Sequence, residues 1–303
     1  MAEVDFPNCP ICKGTDWTLI HSGPIRNGVH SASLEAEVRR CSQCGVDRLA
    51  ESTCLSHSAY VSEDYRSLLE QNHEVEKHFI DHDELAKFTL ETLWPYSYRG
   101  KTVADIGCGG GALLDHLFGL ADTLLAIEPA LPWSESLTQR GYKWYSSTNE
   151  ASQDYSGKVD LVLSTQVIEH VENPKEFLLG IRELLTDDGI AVISTPNRDD
   201  VLMELVHELF PQFFYRSQHR WYFNAESLSQ CVERAGLAVV EIRHIHRYGL
   251  ANAMNWLKEG RPRGRSSMAP LDGVIDSHWK AWLESKGQSD NLYMVVSRNK
   301  GRG

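Results

Sequence analysis

One segment constrains this chain more than any other: Val103-Ala104-Asp105-Ile106-Gly107-Cys108-Gly109-Gly110-Gly111. An apolar run suited to a buried strand ends in a glycine-rich turn and opens into a helix near Ala112-Leu113-Leu114. Glycines let the backbone pass close to a ligand, and a helix start offers free N–H groups. Glu128 closes the next apolar run, 21 residues beyond Gly107, where a carboxylate can grip both hydroxyls of a ribose. Gly107-x-Gly109-x-x-Ala112 fits a dinucleotide fold equally well, so the loop alone does not choose its ligand.

From Lys101 onward, apolar strands alternate with helices, the pattern of a parallel α/β sheet. Strands are predicted at 102–106, 123–127, 142–146, 159–164, 189–194, 237–245 and 291–297, and helices at 111–120, 134–140, 174–186 and 225–235. The last two strands break the rhythm. The 45 residues between them, 246–290, carry Trp256, Trp279 and Trp282 at helix-like spacings and read as a helical insertion over one end of the sheet.

Three features separate the two ligand classes. Asp105 stands two residues before the first glycine and suits a cationic or amino-bearing ligand better than a pyrophosphate. The fourth strand runs into Ser164-Thr165-Gln166-Val167-Ile168-Glu169-His170-Val171. A helix then ends in Leu185-Thr186-Asp187-Asp188-Gly189 and leads to Ile193-Ser194-Thr195-Pro196-Asn197. With the glycine loop and the acidic end of strand two, these motifs make residues 100–245 resemble a class I S-adenosylmethionine (SAM)-dependent methyltransferase. The resemblance implies a Rossmann-like seven-stranded sheet with the last strand antiparallel, which accounts for the detour before Asn291. It also implies that Asp105, Gly107 and Gly109 hold the amino-acid end of SAM, that Glu128 holds its ribose, and that Gln166, Val167 and Ile168 flank the sulfonium side, with Cys108 and Pro129 also among the cofactor-binding residues. Ser147 and Thr148 are weaker candidates for an adenine contact.

Four of the seven cysteines fall in the first 44 residues, as Cys9-Pro10-Ile11-Cys12 and Cys41-Ser42-Gln43-Cys44. Each C-x2-C can form a knuckle that aims two thiolates at one metal, and two knuckles supply the tetrahedral set Zn²⁺ prefers. Four sulfurs leave no open position, so the expected zinc is structural. Gly14 and Gly45 follow the knuckles, where a positive φ is commonly needed. A redox pair and unliganded thiols are the alternatives. The ribbon, with Val38-Arg39-Arg40-Cys41 and the Tyr60…Tyr65 segment, resembles that of bacterial methyltransferases serving sugar, glycan or secondary-metabolite pathways. The expected division is a zinc ribbon at 1–55, a helical linker at 56–98 and a methyltransferase domain at 99–303. In the linker, a helix across 60–95 takes Leu68, Leu69, Val75, Phe79, Leu85, Phe88 and Leu93 as its apolar positions. His78 and His82 share a face with Glu74, and a solvated stripe is the better reading than a metal pair.

The formal net charge is −12, against the basic sign that phosphate-backbone binding requires, so nucleic acid is disfavoured as a partner. No apolar run spans a membrane, and the acidic start Met1-Ala2-Glu3-Val4-Asp5 lacks the form of a signal peptide, so a cytoplasmic location is expected. Oligomeric state leaves no signal in the sequence.

Methyl transfer needs a nucleophile held near the methyl and, for a hydroxyl, a base that removes its proton. His170 follows strand four at its carboxyl end, and His219 lies in the aromatic segment 210–223; both are candidate bases. Relatives that use a divalent ion carry E-x-x-E-H in strand four, whereas this chain has Gln166-x-x-Glu169-His170, one anionic ligand short. Phe213, Phe214, Tyr215, Trp221 and Tyr222 offer faces for a sugar or ring, with core packing as the alternative for about half of them. Arg261, Arg263 and Arg265 read as a solvated loop or as a clamp for nucleotide phosphates.

The expected activity is O-methylation of a small molecule or glycan precursor. C-methylation of a nucleotide-sugar, RNA methylation and an inactive SAM-binding module are the alternatives. Ser164-Thr165-Gln166-Val167 is not the Asn/Asp-Pro-Pro-aromatic motif of enzymes that methylate exocyclic base amines.

Overall fold

A computed structural model describes residues 5–27, 33–56, 75–265, 271 and 273–298. The described chain divides into two compact units, one built from 1–54, 195–228 and 242–293, the other from 55–194, 229–241 and 294–303.

The first unit opens with strands β1 (Trp17–Arg26), β2 (Ser33–Cys41) and β3 (Asp47–Leu49). β1 and β2 pair antiparallel from Trp17↔Cys41 to Arg26↔Ser33, with a bulge between Leu19 and His21. β3 turns back on β2 directly after the second cysteine knuckle.

Helix α1 (Val75–Leu93) begins the described part of the second unit. Ala86, Thr89 and Leu93 are buried at helical spacing, the stripe expected of a helix that covers a sheet. The expected helical stretch before Val75, with Leu68, Leu69, His73 and Glu74, lies outside the described residues, as does the Tyr60…Tyr65 segment. There follow β4 (Thr102–Ile106), α2 (Ala112–Asp115), β5 (Thr123–Ile127), α3 (Ser134–Gln139), β6 (Lys143–Tyr145), α4 (Thr148–Tyr155), β7 (Val159–Thr165), α5 (Pro174–Leu184) and β8 (Leu185–Pro196). β4 lies between β5 and β7, parallel to both, and such double-faced burial explains its continuous apolar run.

Two expected boundaries shift. α2 stops at Asp115 rather than continuing to 120, because the chain tightens into i→i+3 bonds from Leu117 to Leu114 and from Leu120 to Leu117, with Gly119 at φ +74°. α5 is fixed at its start by Asn173, whose side chain accepts the N–H groups of Lys175 and Glu176, and by Pro174 in the first turn. It ends at Leu184, and Thr186-Asp187-Asp188 are already strand, since Leu185 pairs with Val159.

The chain continues through α6 (Val201–Leu205), α7 (Phe210–Phe214), β9 (Trp221–Tyr222), α8 (Ala225–Arg234), β10 (Ala238–Ile245), α9 (Leu250–Glu259), α10 (Gly273–Lys286) and β11 (Asn291–Ser297). The seven-stranded sheet has the order β10-β11-β8-β7-β4-β5-β6, with the last strand antiparallel. The stretch 246–290 carries two helices in its described parts, α9 and α10, joined to their surroundings by turns.

In the first unit, β9 joins β3 through Asp47↔Tyr222 and Arg48↔Trp221, extending the antiparallel sheet to the order β1-β2-β3-β9. Ile25, Val38 and Leu49 from the hairpin share one core with Phe210, Phe214, Tyr215, Tyr222, Trp256 and Leu283. Asp47, fully buried, accepts Nε and Nη2 of Arg40 at 2.6 and 3.0 Å and Nη1 of Arg198 at 2.8 Å. Removing either arginine would leave a desolvated carboxylate underpaired. No described helix is long and apolar enough to cross a membrane.

Candidate active site

The turn after β4 begins at Gly107, whose N–H donates to the Ile127 carbonyl at 2.7 Å, tying the ends of β4 and β5 together. Gly107 has φ +73°, and a Cβ there would stand 2.4 Å from Cγ2 of Val167. Glycine is therefore required twice at this position, by conformation and by space. Gly109 and Gly111 also take positive φ, and the turn closes with a bond from Gly111 N–H to the Cys108 carbonyl at 2.8 Å.

Glu128, immediately after β5, is buried and braces this turn. Its Oε2 accepts the N–H of Gly109 at 2.8 Å and its Oε1 that of Ala130 at 2.9 Å. The indole of Trp144 donates to the Glu128 carbonyl at 3.0 Å and holds the residue in place. Pro129 follows, half-buried.

Asp105 is buried at the end of the same strand system. Desolvation and then the nearby Glu128 charge push its pKa up to about 8. A buried carboxylate beside a second carboxylate is stabilised by a cation, which fits the ammonium of an amino-acid moiety. Desolvation, then the Asp105 and Glu128 charges, likewise holds the Cys108 thiol well above its ordinary range, which disfavours the thiolate.

Gln166, at the carboxyl end of β7, is left-handed at φ 58°, an uncommon conformation for a non-glycine residue. Its N–H donates to the Ser194 carbonyl at 2.9 Å and its Nε2 to the Ser194 hydroxyl at 3.3 Å, so β8 holds the strained residue. Val167 reaches back to Gly107, and Ile168 is fully buried. His170 is half-buried, with Nε2 3.9 Å from Oε1 of the buried Glu169. Thus the glycine turn, the β5 acid and the β7 end are brought together within the second unit. Ser147, by contrast, spends its hydroxyl on the N-cap of α4, accepting from Glu150 N–H.

His219 lies in the first unit and is buried, its ring 5.9 Å from that of Tyr222. Its aromatic neighbours follow the core-packing alternative in four of five cases, more than the expected half. Phe214, Tyr215, Trp221 and Tyr222 are buried, and all but Trp221 belong to the core described above. The reason is hydrophobic burial: these rings close the space between hairpin and helices. Phe213 alone of the five stays partly exposed. Arg261 is paired through Nε and Nη2 with Glu259, at 2.9 and 2.7 Å, which matches a solvated loop.

Among the described residues, the sulfurs of Cys9, Cys12, Cys41 and Cys44 lie within 4.8 Å of one another. Cys9 is 3.6 Å from Cys44, and Cys12 is 3.4 Å from Cys41. A tetrahedron with Zn–S bonds of about 2.3 Å has edges of about 3.8 Å, so the cluster is compatible with zinc. In both knuckles the residue after the second cysteine takes positive φ: Gly45 at 70° and Lys13 at 67°. The conformational need in the first knuckle thus falls on Lys13. Gly14 is small for another reason, since a Cβ would crowd Gln43 and the Cys12 sulfur.

A family model described as a methyltransferase domain matches residues 73–242. The chain belongs to that family. It is a SAM-dependent methyltransferase with the Rossmann-like fold. A ubiquinone biosynthesis O-methyltransferase of Cereibacter sphaeroides is 27% identical over 174 residues, 54% of this chain and 70% of the relative. The mitochondrial ubiquinone biosynthesis O-methyltransferase of Arabidopsis thaliana is 27% identical over 209 residues, 65% of each chain. Among solved structures, a Thermotoga maritima SAM-dependent methyltransferase described as a possible histamine N-methyltransferase superposes with a TM-score of 0.50 at 16% identity. It covers 74% of this methyltransferase and 94% of its own chain, and shows the shared fold.

Proposed function

We propose that this methyltransferase transfers a methyl group from SAM to an oxygen of a small-molecule acceptor. The pairing of buried Asp105 with Glu128 around the glycine turn carries the reading. Together the two carboxylates answer a ligand with both a cation and a ribose. Gly107, Cys108, Gly109 and Pro129 line that ligand, and Gln166, Val167 and Ile168 form the wall at the end of β7. The curated relatives named as ubiquinone biosynthesis O-methyltransferases support oxygen as the acceptor atom and a small molecule as its carrier.

When bound, SAM supplies a methyl group already activated by its sulfonium. The protein's own tasks are alignment and proton removal. His170, at the carboxyl end of β7 beside Glu169, takes the hydroxyl proton, and the buried carboxylate favours the imidazolium that results. His219 is the second candidate base. The four cysteines hold a structural zinc, and the protein works in the cytoplasm on a metabolite or glycan precursor.

The test is calorimetry with SAM and S-adenosylhomocysteine, followed by labelled-methyl transfer to phenolic, glycosyl and nucleotide-sugar acceptors. Binding of SAM with label on an acceptor oxygen is expected, and His170→Ala should depress kcat more than His219→Ala. Failure of both SAM and S-adenosylhomocysteine to bind would overturn the reading. Label on carbon or RNA would move it to another acceptor class.

A further inference from the structure

Arg26, the last residue of β1, forms a parallel bridge with Arg216. Two backbone bonds fix it, from Arg26 N–H to the Tyr215 carbonyl and from Ser217 N–H to the Arg26 carbonyl, each 3.1 Å. The Tyr222 hydroxyl clamps Arg216 further, accepting its N–H at 2.9 Å and donating to its carbonyl at 3.1 Å. Two cationic residues are thereby held side by side on neighbouring backbone segments, and like charges placed opposite one another repel.

Other arginines of the same unit meet a carboxylate: Arg40 and Arg198 pair with Asp47, Arg48 and Arg220 with Glu51, and Arg247 with Asp290. Arg26 differs. Its guanidinium lies over the Phe213 ring, 4.2 Å from the centroid. Its Nε and Nη2 are buried and have no hydrogen-bond partner among the described residues. The described ionisable groups acting on it are Arg216 and the phenols of Tyr222 and Tyr248, with no carboxylate. Desolvation, then Arg216, pushes its pKa down to about 9. A guanidinium so placed weakens the fold unless something supplies the missing charge.

Nε and Nη2 form the edge through which arginine makes parallel bonds to a carboxylate or phosphate. We infer that Arg26 and Arg216 form an oxyanion-binding site, with the Phe213 ring as its apolar wall. It takes the carboxylate or phosphate group of a small molecule, bound within the first unit. A bound anion would supply the charge that the buried edge of Arg26 lacks among the described residues.

The test uses the full chain without SAM, titrated with sodium phosphate and, separately, sodium benzoate, against sodium chloride at matched ionic strength. Calorimetry should show saturable binding of at least one probe, and that probe should raise the melting midpoint. Phosphate alone marks a phosphate-bearing ligand and benzoate alone a carboxylate. Arg26→Gln should weaken binding about tenfold or more, as should Arg216→Gln, whereas Arg39→Gln, which disturbs a surface pair with Glu37, should not. Without probe, Arg26→Gln should melt no lower than wild type, because it removes an uncompensated buried charge. The inference is overturned if neither probe binds, if Arg26→Gln binds like wild type, or if Arg26→Gln melts lower while losing no affinity. SAM affinity is measured in parallel: anion binding without SAM binding sinks the methyl-transfer reading and leaves the site, and the reverse result does the opposite.

Discussion

Glu128 accepts the backbone N–H of Gly109 at 2.8 Å, so the carboxylate proposed to hold the ribose also shapes the glycine turn. Glu128→Gln keeps an acceptor for one of the two N–H groups but turns an amide donor toward the other and removes the charge. Charge-assisted bonds of this kind are worth about 1.5–3 kcal/mol, so SAM affinity should fall roughly 10- to 150-fold. Calorimetry reads the loss, and an unchanged circular dichroism spectrum separates it from unfolding. Equal affinity in Glu128→Gln and wild type would contradict the proposed ribose contact.

Asp105, pushed up to about 8 by burial and Glu128, is mostly protonated in the free protein at pH 7. A cationic ligand favours its ionised form, so SAM binding at pH 7 should release a proton from this group. The observed calorimetric enthalpy should therefore vary with the ionisation enthalpy of the buffer. In Asp105→Asn that dependence should shrink and affinity fall, and an unaltered buffer dependence in the variant would assign the proton elsewhere.

A methyl group at Gly107 meets two obstacles, a φ of +73° and Val167 Cγ2 at 2.4 Å. Gly107→Ala should cost about 1–3 kcal/mol of stability and abolish SAM binding. Adding Val167→Ala removes the clash but leaves the backbone strain, so thermal melting of the double variant should recover only part of the loss. Full recovery would show that the positive φ carries no cost.

The glycine turn, Glu128 and the four cysteines were legible because each is a local pattern: a spacing that the chain cannot disguise. The strand-to-helix alternation was legible for the same reason, since double-faced burial demands unbroken apolar runs such as 102–106 and 123–127. What the sequence hides is pairing at a distance. Asp47 and Arg198 are 151 residues apart, and neither sits in a motif. Nothing in the sequence marks Arg26 and Arg216 as neighbours, 190 residues apart, before β1 meets the segment before β9. The aromatic segment turned out more buried than the expected half for a related reason. Its rings look available for stacking until a hairpin from the far N-terminus is packed on them. Lys13 and Gln166 are backbone outliers that only geometry reveals, because neither residue type announces a left-handed turn.

If the four cysteines hold zinc, metal analysis should find one zinc per chain, and Cys41→Ser or chelation should lower the melting midpoint by more than about 10 °C. The damage should not stop at the knuckles. β3 pairs with β9, and the hairpin shares a core with Phe210, Phe214 and Tyr222, so hydrogen exchange should quicken across 195–228 as well. SAM affinity should stay close to wild type, because the proposed cofactor residues all belong to the other unit. A metal-free chain with full stability would remove the zinc.

Asp200 gives the clearest pH test of the fold. Its side chain caps α6, accepting the Leu202 N–H at 2.8 Å, yet it is buried near Asp290, and desolvation followed by that like charge pushes its pKa up to about 8. The folded state therefore holds a proton that the unfolded chain, with an ordinary aspartate near pH 4, gives up. Stability from this group is complete below the unfolded value and is lost as pH rises through about 8. Asp105 contributes a slope of the same sign, so the wild-type midpoint should fall between pH 5 and 9. Asp200→Asn keeps the capping oxygen while abolishing the titration, and its midpoint should fall less over that range, with the variant overtaking wild type at the alkaline end. Parallel profiles for the two proteins would mean that Asp200 is ionised throughout, with Arg247 outweighing the burial.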